Sequence, residues 1–118
     1  MIARIWHGWT KRADAQTYEN MLRNEIFPAI AAWKINGYHG AELFIREDGD
    51  EVEFVTLLRF DSMDTVKEFA GPVESKPVIF LKAEALITRM EQARHYRIAI
   101  QVDRAVLSAL ATNAALAA

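Results

Sequence analysis

The chain has 118 residues, enough for one domain, and 52% of them are apolar, ample for a packed core. Its 14 basic and 16 acidic side chains leave a formal charge of −2 and are mixed along the chain, so no basic run can track a phosphate backbone and nucleic acid is not an expected partner. There is no cysteine, which excludes disulfides, thiolate metal sites, cysteine nucleophiles and iron–sulfur clusters.

The chain opens directly into a strand pattern, without the charged and apolar regions of a signal peptide. No uncharged apolar run approaches the roughly 18 residues of a membrane span. The expectation is a cytoplasmic protein with no membrane partner.

From Ile2 to Trp9 apolar side chains fall on both parities, the pattern of a strand covered on both faces. Within it, "RIWHGWT" sets His7 between Trp6 and Trp9. His7 and Trp9 share a parity and so share a face, and Trp6 takes the other. From Lys11 to Lys34 the period changes: Tyr18, Leu22, Ile26 and Ile30 recur every fourth residue, predicting a long amphipathic helix. Pro28 removes a backbone donor and clashes with the preceding turn, so a kink or a break into a second helical piece is expected there.

"INGYHG" ends the helical region with an Asn-Gly turn signal. Residues His39 to Asp48 read as a strand, Gly49 and Asp50 as a tight turn, and "EVEFVTLLRF" as its hairpin partner. "DSMDTVKEFAG" reads as a second helix, with Asp61 or Ser62 as N-cap, Asp64 in the first turn and Gly71 as stop signal. Residues Pro72 to Arg89 hold two prolines and predict an irregular segment with one or two short helical turns. "MEQARHYRIAI" reads as the last strand, with His95 and Tyr96 on opposite faces. Two units follow: a folded domain over residues 1–100, and an alanine-rich extension over 101–118, helical or disordered, with Val106 and Leu110 four apart.

The order β-α-β-β-α-β predicts an α+β, ferredoxin-like fold, a four-stranded antiparallel sheet with both helices on one face. Its strands are apolar on both parities, so the helix-free face needs cover, and a homodimer joining two sheets face to face supplies it. Trp6 is then expected against the partner subunit and His7 on the helix side.

With "MIARIWHGWT", "LLRFDSMDTVKEFAG" and "ARHYRIA" in this order, residues 1 to 100 resemble the antibiotic biosynthesis monooxygenase (ABM) family of small dimeric α+β barrel proteins. The resemblance implies a ferredoxin-like protomer, a barrel formed by two sheets in a dimer, and a pocket between each sheet and its own helices. It implies one of several activities: oxidation of polycyclic phenols without metal or flavin, or degradation of haem. In haem-degrading relatives the first strand offers an asparagine, the second helix a tryptophan, and the following segment a histidine that ligates iron. The matching places here hold His7 and Phe69, and no histidine occurs between Asp61 and Arg94.

Cofactor-free oxygenation needs a phenol to lose a proton in an apolar, water-poor cavity. His7 is the candidate base or orienting group, since an imidazole neutral at physiological pH accepts a proton. Trp9, Trp33, Tyr38 and Phe69 are the candidate walls for a flat ring. A histidine in an apolar strand equally reads as a core residue bonded to backbone or to a carboxylate. Arg4 and Arg59 sit in apolar strands and call for a carboxylate such as Glu53 or Asp61, or for a substrate anion. His7, His39 and His95 are scattered over three strands with no metal-ligand spacing, so no metal and no resident cofactor is expected. The sequence therefore points to a cofactor-independent monooxygenase acting on an aromatic or polyketide-like molecule. A non-catalytic dimer binding an apolar small molecule is the alternative, and a haem protein ranks last.

Overall fold

The computed structural model describes residues 1–105 together with 111 and 112. The expected helix around Val106 and Leu110 lies outside the described residues.

Five strands form one antiparallel sheet: β1 (Ile2–Lys11), β2 (Tyr38–Asp48), β3 (Glu51–Phe60), β4 (Ile87–Met90) and β5 (Arg94–Arg97). Its order is β2-β3-β1-β4, with β5 also on β1. Helices α1 (Arg12–Met21) and α2 (Phe27–Ala32), joined by a π-helical turn at Leu22–Ile26, cross between β1 and β2; α3 (Met63–Ala70) and the single turn α4 (Leu81–Glu84) lie between β3 and β4. This is the ferredoxin-like α+β arrangement, with all helices on one face.

The hairpin follows from its local chemistry. Gly49 takes φ +62°, the left-handed conformation a two-residue turn requires at low cost only from glycine, and β2 and β3 then pair without slippage from Asp48–Glu51 to Ala41–Leu58. One bulge, at His39, separates Tyr38 from Gly40. The fourfold repeat of the long helix is the buried stripe: Tyr18, Leu22, Ile26 and Ile30 are each at most 7% exposed and pack on Trp6, Phe54, Leu58 and Phe60. In α3, the Ser62 hydroxyl accepts a hydrogen bond from the Thr65 N–H, so Ser62 and not Asp61 is the N-cap.

The long helix breaks into a second piece at Pro28, as expected: a π-helical turn precedes it, with the Phe27 N–H bonded to the Leu22 carbonyl, and Pro28 stands in the first turn of α2, where a missing N–H costs little. The far end of the sheet departs from the expectation. The last strand, read over residues 90–100, is the shorter β5, and β4 is a strand in what was read as the end of the irregular segment. Between them Ala93 turns into the core, and its N–H bonds to the Ser75 carbonyl instead of joining the ladder. The sheet therefore has five strands where four were expected. Among the described residues no helix is long and apolar enough to cross a membrane.

Candidate functional site

A cavity of about 50 Å³, partly open to solvent, lies between the sheet and the helices. Its floor is Arg4, Trp6, Thr56 and Leu58 of β1 and β3. Its roof comes from the π-helical turn and its neighbours, including Leu22, Ile26 and Phe27, and one side is closed by Phe69 with Val78, Ile79 and Phe80. The π-helical turn matters here, because its extra residue shifts Leu22 and Ile26 relative to Phe27 and Ile30 while all four still face the cavity.

Four residues of this mainly apolar lining carry polar side-chain atoms, Arg4, Trp6, Tyr18 and Thr56, and the two on β1 stand out. Trp6 is 7% exposed, and its indole N–H is buried without a hydrogen-bond partner among the described residues. The ring lies over Gly8: a Cβ added there would come within 2.2 Å of it, so a glycine two residues along the same face is what allows the indole to lie flat on the strand. Arg4 is 3% exposed. Its guanidinium donates to the Glu74 carbonyl, to the Lys76 carbonyl at 2.8 Å and to His95 Nε2 at 3.0 Å, and it lies 5.4 Å from the centre of the Phe69 ring. Among the described residues no carboxylate forms an ion pair with Arg4, and burial pulls it down to about 10. A guanidinium has no acceptor, so His95 accepts at Nε2 and is the neutral tautomer protonated at Nδ1. Burial first, and the Arg4 charge second, hold its proton affinity below the ordinary imidazole value, against an opposing pull from Glu74.

The shared face of His7 and Trp9 is as the parity requires, but it is the helix-free face. Trp6, expected against a partner, belongs to the helix-side core instead. His7 Nδ1 is 2.9 Å from Glu53 Oε2, while Glu53 Oε1 accepts from Arg46 Nε at 3.0 Å. These contacts, the His7 bond foremost, hold the Glu53 carboxyl below its ordinary range. Trp9 Nε1 donates to Asp48, and the Arg89 guanidinium lies 3.8 Å over the Trp9 ring. His7, Glu53, Arg46, Asp48 and Trp9 thus form one connected polar network on this face.

The five residues expected to share a pocket divide between the two faces: Trp33 and Phe69 meet with ring centres 5.7 Å apart, while His7 and Trp9 lie together on the opposite side of the sheet. Phe69 lines the cavity. Trp33 is half exposed beside it, stacked on Phe80 with centroids 5.8 Å apart. Tyr38 packs on Phe60 at 5.5 Å, and His7 and Trp9 are across the sheet. His39 pairs with Asp61 at the surface, and Arg59 pairs with Glu42 at 3.0 Å, not with Glu53 or Asp61. Two of the cavity's polar groups, Arg4 and Trp6, are ones that alternation along β1 already placed together.

No protein-family profile and no curated protein sequence matches the chain significantly. Solved structures do resemble it. A Bacillus cereus protein provisionally assigned as an antibiotic biosynthesis monooxygenase superposes with a TM-score of 0.60 at 13% identity, covering 86% of this chain and 96% of its own. An MhuD variant with two manganese protoporphyrin IX molecules bound per active site gives 0.63 at 16%, over 87% and 99%. The haem-degrader MhuD of Mycobacterium tuberculosis, with two haems in its active site, gives 0.55 at 18%, over 87% and 100%.

Haem iron needs an axial ligand, and the cavity lining holds no histidine, cysteine or methionine. Its one phenol, Tyr18, is kept protonated because burial raises its proton affinity. The lining does not fit haem. What the superpositions establish is the architecture: this chain has the fold of the antibiotic biosynthesis monooxygenases.

Proposed function

We propose that this is an ABM-type small-molecule protein whose site is the helix-side cavity, acting as a cofactor-independent monooxygenase on an aromatic compound. The observation that carries the reading is an apolar cavity whose walls present an indole N–H and a guanidinium that, among the described residues, have respectively no hydrogen-bond partner and no carboxylate in an ion pair. A buried cation favours the deprotonated form of a nearby phenol, and the anion is electron-rich enough to react with oxygen. Oxidation of a phenol to a quinone by one O₂ places one oxygen atom on the ring; the other leaves as water with two substrate hydrogens, so no external reductant is needed. Arg4 and Trp6 are placed to stabilise the oxyanion, and the apolar walls limit water. His7 is bound to Glu53 on the other face and takes no part.

The test is oxygen uptake by the whole chain with a naphthol and an anthrone as substrates. His7→Ala should keep the wild-type rate, and Arg4→Gln should lose about ten-fold or more. If wild type binds these compounds but consumes no oxygen, the reading of choice becomes a non-catalytic binding protein.

The helix-free face supports a homodimer. Ile5, Val55 and Leu57 are only partly covered there, and Phe44 is 48% exposed, giving an apolar centre with the polar His7–Glu53–Arg46 and Arg89–Glu51 groups at one end.

A further inference from the structure

We infer that the molecule taken by the helix-side cavity carries a fixed negative charge, in the simplest case an aromatic carboxylic acid, and that Arg4 selects it. The inference rests on the cavity being the site, as proposed above, and adds the chemical class of the occupant.

Arg4 is deeply buried, and its partners are two carbonyls and a neutral imidazole. These dipoles satisfy three of the five guanidinium N–H groups but leave the charge uncompensated. A buried cation without an anion is costly to the fold, and removing that cost requires a charge of opposite sign at hydrogen-bond distance. Among the described residues no side chain supplies one. A carboxylate does: it is planar, ionised at neutral pH, and its two oxygens match the guanidinium fork. A phenol, with an ordinary pKa near 10, is mostly neutral at the same pH and supplies no standing charge. Arg4 is the one cation in the lining, so a monoanion fits the site better than a phosphate dianion.

The second donor sets the length of the recognised group. Trp6 is two residues from Arg4 on the same strand face, about 7 Å along β1. An acid bound at Arg4 therefore extends its ring along the strand toward the Trp6 N–H, where a second oxygen is received. Arg4 also holds the wall of the cavity, through the carbonyls of Glu74 and Lys76 in the segment that leads to Val78, Ile79 and Phe80. An acid that engages Arg4 competes with those carbonyls, loosening the wall that must move for a ring to enter a space of about 50 Å³.

The experiment is calorimetric titration of the whole chain at pH 7 with 2-naphthoate, its methyl ester and 2-naphthol. Naphthoate should bind about ten-fold or more tightly than the ester, a difference expected for one charge-assisted hydrogen-bonded pair. In Arg4→Gln that preference should vanish while ester binding persists. Because Arg4→Gln removes a wall contact and can fail to fold, Arg4→Lys provides the second variant, retaining the preference in reduced form. Equal or tighter binding of the ester and naphthol to wild type would overturn the charge selection and leave the cavity as the site. Failure of all three to bind would overturn both.

Discussion

Gly8 governs the shape of the site although it touches no ligand. Its missing Cβ is the space into which the Trp6 indole folds, and a Cβ there would come within 2.2 Å of the ring, far inside van der Waals contact. Gly8→Ala should destabilise the protein by about 1–3 kcal/mol, the usual cost of overpacking, and push Trp6 into the cavity. Denaturant unfolding together with aromatic-probe binding measures both; unchanged stability with unchanged binding would show that Trp6 is not fixed in this way. The sequence revealed that His7 and Trp9 share a face, but not which face. The two sides of β1 are almost equally apolar, and only the packing of Tyr18 and Leu22 on Trp6 decides the matter. Arg4 was readable as a buried cation in need of a partner. That its partners would be the Glu74 and Lys76 carbonyls was not, because those atoms are some seventy residues away in a segment without periodic pattern.

Elements fixed by local chemistry were read correctly. The β2–β3 hairpin follows from Gly49 and Asp50 between alternating runs, α3 from its cap at Ser62 and stop at Gly71, and the long helix from its fourfold repeat. The elements that differ are set by distant contacts. The separation of β4 from β5 depends on Ala93 leaving the ladder to meet Ser75, and β4 itself falls on "ITRM", mostly within the segment read as irregular. The π-helical turn is similar in kind: Pro28 signals an interruption, but the turn that absorbs it lies upstream, where Leu22 and Ile26 are drawn toward the sheet. Both departures border the cavity, since Ser75 adjoins the carbonyls that hold Arg4 and the π-helical turn supplies part of the roof.

As a whole, the molecule has two unlike faces on one sheet. The helix side encloses the cavity; the other side exposes an apolar centre around Ile5, Val55, Leu57 and Phe44. Light scattering at micromolar concentration should give the mass of a dimer, and Leu57→Asp should give a monomer that still binds the aromatic probe, because the two faces act separately. A wild-type monomer would remove the face-to-face arrangement without touching the cavity.

The placement of the site on the Trp6 side of the sheet is tested most directly by following the three tryptophan indole N–H signals by nuclear magnetic resonance while 2-naphthol is added. Among the described residues the Trp6 N–H has no partner, whereas the Trp9 N–H is held by Asp48. A ligand in the cavity should move the Trp6 signal and leave Trp9 in place. Movement of Trp9 with Trp6 unchanged would put the ligand beside His7, on the other face, and the assignment of the site to Arg4 and Trp6 would be wrong.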